Sequence, residues 1–381
     1  MTRAQISTLW LSFLVLEAFA FVNAYLVNLK GGTVDAVRFQ TAAADWAENG
    51  VWEFAVNSEF FVQYLGLIYR TFGPHEFIAT QFGIVAMLAS ALVLIQMSRH
   101  LGFVMPAIAV LLFLLWPSMV LRVTTTLREP FMIFFTIFSV FALLRFAQTE
   151  HLRFAILSLV SLLIGALFHK ALAVLVPFLV ALFIWRLLVS RRSRKGWLPG
   201  LIGLAMLCLG AYVLTNLAQS ETSVKGLKPL QSLILWDTDH IDRVLDYKTG
   251  RDFRTTYDAA VDFSNPLAFV ASLLKAFFFY MFMPFPWMVR TPLDLLALAE
   301  SLFRLGGLVL MIRFVFLGHK LPKALKPVSV VVLGLCFIWA VGTANYGTAS
   351  RHHLTTNWVF MLIYIACFKP RFLKHFDPLP A

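Results

Sequence analysis

The chain has 381 residues, of which 60% are hydrophobic and only 14% charged, and a formal net charge of +12. A soluble globular protein carries about 25% charged residues, so this composition excludes an ordinary soluble domain. Apolar runs recur at close to the roughly 20 residues needed to cross a bilayer, which predicts an all-α, polytopic transmembrane helical bundle; a barrel would show short alternating segments instead. The basic excess reads as the flanking charge of a membrane protein and not as nucleic-acid binding. Cys208, Cys336 and Cys367 all lie in apolar runs, with no disulfide framework and no metal-ligand spacing.

In chain order, Met1-Thr2-Arg3 precedes an apolar run from Ile6 to Leu26. That run is longer than the apolar stretch of a signal peptide, so it is expected to be an uncleaved first span with its N-terminus inside. Glu17 lies near its middle, where a carboxylate is costly and is expected to face other helices. Residues 29–57 form a polar, amphipathic first outer loop holding Asp35 and Arg38. Asp35 is the candidate reactive carboxylate; the alternative is an acid at a helix N-terminus. Residues 58–73 read as an interfacial helix with aromatics at headgroup depth, ended by Gly73-Pro74.

The second crossing is expected over Phe77 to Met97, closing inside at Ser98-Arg99-His100, and Phe103 to Val120 returns outward to Trp116-Pro117. Pro130 suits the first turn of the next helix, with Glu129 at its positive end. That helix runs inward to Arg145. A hairpin follows, out along Phe154 to Phe168 and back along Ala171 to Trp185, with His169-Lys170 at its tip facing a shared cavity. Arg186 to Lys195 has five basic residues and no acid, so it reads as cytoplasmic.

A span over Leu198 to Leu217 then leads to a long outer loop, residues 218–265. Residues 266–287 are expected to be a second interfacial or re-entrant helix, because a crossing there would put the basic stretch Gly318 to Lys326 outside. A span over Leu295 to Phe316 places Glu300 and Arg304 on one face. Pro327 to Ala344 goes out, Asn345 to His353 forms an outer turn, Leu354 to Phe368 returns, and Lys369 to Lys374 is a basic inner tail. The sum is a single integral membrane domain over residues 1–381 with about ten spans and both termini cytoplasmic.

Sorted by side, the outer ends collect Asp35, Arg38, Arg122, Arg128, Glu129, His169, Lys170, Arg290, Arg351, His352 and His353. Short outer turns are normally poor in Lys and Arg, so the set points to an anion site at the outer leaflet, such as a polyisoprenyl phosphate or diphosphate. Arg presents a fork to phosphate oxygens and Lys a point charge. Taken singly, each of these side chains could instead snorkel to lipid headgroups. The adjacent His352 and His353 lack the i, i+4 spacing of a helical zinc pair.

This order of features resembles the GT-C superfamily of polyprenyl-phosphate-dependent membrane glycosyltransferases and the related O-antigen and exopolysaccharide polymerases. The matching pieces are Asp35 in the first outer loop, QYLGLIYRTFG from Gln63 to Gly73, and Trp116-Pro117 leading to Leu127-Arg128-Glu129. The others are His169-Lys170 and the late Gly347-Thr348-Ala349-Ser350-Arg351-His352. The resemblance implies sugar or oligosaccharide transfer from a polyprenyl-linked donor to an acceptor glycan or lipid, at the outer face of a bacterial inner membrane, with envelope polysaccharide assembly partners.

In that scheme Asp35 is the general base and Arg128, Lys170, Arg351 and His352 hold the donor phosphate. Arg38, Glu129, His169 and His353 support them. Val34 and Ala36 flank Asp35, so the paired acids of many members are absent; no cofactor is implied, and a divalent metal stays open. A lipid-linked-saccharide flippase is the alternative of another class, and would want polar residues near midplane and an internal repeat. A non-catalytic partner in an envelope assembly is a further one.

Overall fold

The computed structural model describes residues 1–27, 33–176, 179–180, 255–257, 262, 265–316, 322 and 325–368. All regular structure among them is helical, apart from one isolated bridge between Thr256 and Asn345. The chain divides into two compact units, Met1–Leu172 with Phe368–Ala381, and Ala173–Cys367.

The first unit is an up-and-down bundle. Helix α1 (Arg3–Tyr25) starts in a capping box, in which Thr2 Oγ1 accepts from the Gln5 amide and Gln5 Oε1 accepts from the Thr2 amide. The same Gln5 side chain donates to the Met105 carbonyl at 2.7 Å, so the start of α1 is held beside the turn after α4 (Glu76–His100). At that end Arg145 of α7 (Glu129–Thr149) donates to the His100 ring at 3.0 Å, and Gln148 donates to the His100 carbonyl. Helix α8 (Leu152–Phe168) runs back along α7.

The opposite end, here the rim, gathers the end of α1, the starts of α4 and α7, and the end of α8. Asn23 donates there to Glu76 at 3.0 Å and to the Thr124 carbonyl at 3.1 Å, and the Asn57 amide donates to the Leu167 carbonyl at 2.6 Å. Two further helices sit at the rim. Helix α2 (Thr33–Asn49) buries Ala36, Phe39 and Ala43, a stripe at i, i+3 and i+7. Helix α3 (Ser58–Phe72) packs against it, with Phe61 edge-on to Phe39 and Gly66 beneath Trp46. Arg70 of α3 caps the end of α2, donating to the carbonyls of Trp46, Ala47 and Gly50 at 2.7–3.2 Å. Most of the expected first outer loop is therefore helix.

Phe103 to Val120 is not one continuous span. It is two short helices, α5 (Ala107–Leu114) and α6 (Pro117–Val123), with Trp116 between them in an extended conformation (ψ 129°). The residue before a proline is driven out of the helical region, and Pro117 has no N–H to continue the ladder. Pro117 instead starts the second helix, where the missing donor costs nothing.

The second unit contains α9 (Pro266–Phe282), α10 (Pro292–Phe316), α11 (Leu325–Val341), α12 (Tyr346–His353) and α13 (Asn357–Cys367). Helix α9 packs on α10 and α11, and α13 lies along α10, where Gly307 admits Phe360. The expected outer turn Asn345 to His353 is a helix, because the Asn345 side chain caps it by accepting from Gly347 and Thr348. Tyr257, Ala276, Met283, Ala344 and Tyr346 form a small apolar core around its start.

Four helices among the described residues are long and apolar enough to cross a membrane: Arg3–Tyr25, Glu76–His100, Glu129–Thr149 and Pro292–Phe314. Shorter apolar helices accompany them, including Leu152–Phe168, Pro266–Phe282 and Asn357–Cys367. The chain thus has the helices of a membrane protein. The expected cytoplasmic cluster 186–195, the span 198–217, nearly all of the long outer loop 218–265, most of 318–326 and the basic tail 369–374 lie outside the described residues.

Candidate functional site

The rim of the first unit is built on Arg128, the residue before α7. Its Nη1 donates to Asn57 Oδ1, to the Phe168 carbonyl at 3.2 Å and to Ser58 Oγ at 3.4 Å. Its guanidinium lies 5.9 Å from the Phe39 ring of α2. One half-buried cation therefore joins the starts of α3 and α7, the end of α8 and the face of α2. Asn57 has a positive φ (66°, ψ −128°), and both its side chain and its amide enter this junction.

Asp35 stands in the first turn of α2, half-buried, about one helical turn before Phe39. Arg38 follows on the exposed side of the same helix. Glu129 is the first residue of α7 and is buried to 4% exposure, at the end where the helix dipole favours a negative charge. His169 and Lys170 follow α8 half-buried; the His169 Nδ1 accepts from the Ala171 amide at 3.3 Å, and a 3₁₀ turn runs over Lys170–Val174. Asp35, Arg38, Arg128, Glu129, His169 and Lys170 all belong to elements that meet at this rim.

A second polar group at the rim escaped the sequence reading. Glu76, at the start of α4, takes a hydrogen bond from Asn23 of α1 at 3.0 Å and another from Gln40 of α2. Gln40 also donates to Thr126 Oγ1 at 3.0 Å. Burial, and then the Glu76 carboxylate, push the neighbouring Tyr69 phenol up. The only local hint was position: Asn23 falls near the end of an apolar run, and Glu76 follows Gly73-Pro74-His75.

Arg351, His352 and His353 belong to the second unit. Arg351 is half-buried on α12. The His352 ring stacks on Trp339 (5.0 Å, 26°) and its Nδ1 lies 3.3 Å from Thr343 Oγ1. His353 points inward at 1% exposure, with Nε2 donating to the Tyr280 carbonyl at 2.8 Å and its ring 4.2 Å from that of Tyr280. That donation makes Nδ1 the acceptor nitrogen of a neutral ring. Burial first, and then the Arg304 charge, hold His353 well below the ordinary histidine range.

Among the described residues no three His, Cys, Asp or Glu side chains cluster as metal ligands. Comparison with protein-family models, with curated proteins and with solved structures gave no match.

Proposed function

We propose that the chain is a membrane glycosyltransferase of about ten spans, moving a sugar or oligosaccharide from a polyprenyl-linked phosphate or diphosphate to an acceptor hydroxyl. The observation that carries this reading is Arg128, fixed at the rim of a lipid-embedded bundle against the helix that bears Asp35. Arg3, Arg99, Arg145 and Arg153 lie toward the opposite end. The inside-positive rule then makes that end cytoplasmic, with the N-terminus there, and turns the rim outward.

In the proposed reaction Asp35 takes the proton of the acceptor hydroxyl as its oxygen attacks the anomeric carbon. The bond from that carbon to the phosphate oxygen breaks, and the electron pair leaves with the phosphate. Arg128 and Lys170 at the rim stabilise the charge that develops on the leaving group. One displacement inverts the anomeric carbon. Repeated transfer onto a growing chain would make the protein an O-antigen or exopolysaccharide polymerase.

The test is transfer of radiolabelled sugar from a lipid-linked donor by protein in vesicles. Asp35→Asn is expected to abolish transfer while inserting normally, and full activity in that variant removes Asp35 from the mechanism. Labelled lipid that crosses the bilayer with no sugar transferred would favour a flippase.

A further inference from the structure

We propose that a groove between α1 and α4 holds an acyl chain of an anionic phospholipid, with Arg3 and Arg99 on its headgroup. The groove has a volume of about 320 Å³ and is lined by Ile6, Leu9, Trp10 and Phe13 of α1 and by Leu88 and Leu92 of α4. Trp10 is 63% exposed and Leu92 38%, so it opens to the outside of the bundle.

Contacts fix the two helices at both ends of this groove. Toward the rim, Gln81 of α4 donates to Glu17 of α1 at 3.0 Å. At the far end, Gln5 of α1 donates to the Met105 carbonyl, just past α4, at 2.7 Å. The seam between these contacts follows one face of each helix. Arg3, Ile6, Trp10, Phe13 and Glu17 are spaced i, i+3, i+7, i+10 and i+14 on α1. Gln81, Leu88, Leu92 and Arg99 are spaced i, i+7, i+11 and i+18 on α4. The stripe that lines the groove therefore ends in an exposed arginine on each helix. Measured along the helices from the Glu17–Gln81 contact, Arg3 is about 21 Å away and Arg99 about 27 Å, so the two stand at nearly one depth.

The medium at groove depth is lipid, because α1 and α4 are both long and apolar enough to cross a membrane. Leu88 is about 16 Å of helix from Arg99, or half of the roughly 30 Å hydrocarbon core, so the groove belongs to one leaflet. Charge selects the lipid. Among the described residues no hydrogen bond or ion pair occupies either guanidinium. That end of the unit also carries Arg145 and Arg153 against a single acid, Glu150, among the described residues. Arg3 stands in the first turn of α1, where the helix dipole disfavours a cation, so its charge contributes no stability to its own helix. Basic pockets between transmembrane helices suit anionic headgroups, and Arg presents a fork to phosphate oxygens. The site lies at the end of the unit away from the rim, and it does not depend on the transferase reading.

The test is native mass spectrometry of the full chain in detergent, titrated with phosphatidylglycerol or with phosphatidylcholine of the same acyl chains. Wild-type protein is expected to bind phosphatidylglycerol about thirtyfold more tightly, the product of two exposed arginines near a phosphate. The double variant Arg3→Gln with Arg99→Gln is expected to bind the two lipids equally. Leu92→Trp keeps every charge and fills the groove with an indole. It is expected to weaken both lipids about tenfold and to leave their ratio unchanged.

Equal binding of the two lipids by wild-type protein overturns the proposal. A preference that survives in the double variant also overturns it, and assigns the lipid to Arg145 and Arg153. Unchanged binding in Leu92→Trp would mean headgroup adsorption with no chain in the groove. A wild-type dimer that Leu92→Trp dissociates would give the groove to a second copy of the chain instead. Loss of sugar transfer with lipid binding intact would remove the transferase and keep this site.

Discussion

Arg128 Nη1 donates to the backbone carbonyl of Phe168 at 3.2 Å, across 40 positions of chain. The carbonyl is among the last of α8, which the helix itself cannot satisfy, and the donor stands at the entrance of α7. The antiparallel α7–α8 pair is thus clamped at the end where the candidate site lies. Arg128→Ala is expected to cost about 1.5–3 kcal/mol of stability, the range for hydrogen bonds to a charged group. Arg128→Lys should recover only part of that loss, because an ammonium lacks the planar guanidinium that lies beside the Phe39 ring. Thermal unfolding of both variants in detergent checks this; equal melting temperatures in all three proteins would remove the clamp.

Gly66 of α3 sets how closely α2 approaches. A Cβ there would lie 2.3 Å from Trp46 Cε3, and the Trp46 ring already carries Arg70 at 4.7 Å on its face. Gly66→Ala is therefore expected to displace Trp46 and cost about 1–3 kcal/mol, the usual penalty of overpacking. Because α2 carries Asp35, protease sensitivity within 33–49 should rise in the variant. An unchanged digestion pattern would mean that the helix pair yields elsewhere.

His353 predicts a pH dependence with a definite sign. Its folded form is neutral and held well below the ordinary value of about 6.5 by burial and by Arg304. Unfolding therefore takes up a proton below that value. Stability is fully present above pH of about 6.5 and falls as the pH drops toward the folded pKa, by up to about 1.4 kcal/mol per pH unit. Melting temperature followed from pH 8 to 5 should show this slope, and His353→Gln should flatten it. An identical slope in the variant would assign the dependence to other groups.

Glu300 and Arg304 are one turn apart on α10, each 2% exposed, and the Glu300 charge acts on Arg304. Arg304 Nε also donates to the Met281 carbonyl at 2.9 Å. Arg304→Met is expected to destabilise by about 3–5 kcal/mol, since it strands a buried carboxylate. The double variant Glu300→Gln with Arg304→Met should recover most of that loss. A double variant no better than the single one would show that the two side chains act separately.

The features legible in the sequence are those that a few neighbouring residues decide. Pro130 does lie in the first turn of α7, Gly73 does end α3 (φ 83°), and Glu300 and Arg304 do share a face, because backbone sterics and helical period act over one or two turns. Apolar run length was equally readable, and it announced a membrane protein. Trp116-Pro117 looks like a stop in the sequence, yet it is the break between α5 and α6. The segment forms two helices, α5 and α6, because a proline can start a helix as well as end one.

What the chain alone determined is thus its solvent, its helical class and most of the points where helices begin and stop. Only the tertiary structure decided that Asn57 accepts from Arg128, 71 residues further along the chain, and that Asn23 and Gln40 converge on Glu76. It also turned His353 inward while leaving its neighbours on α12 half-buried. Such pairings follow from which helix faces meet, and in a bundle whose surfaces are nearly all apolar the order of residues says little about that. A few polar side chains with no water to turn to then find one another across the packed helices.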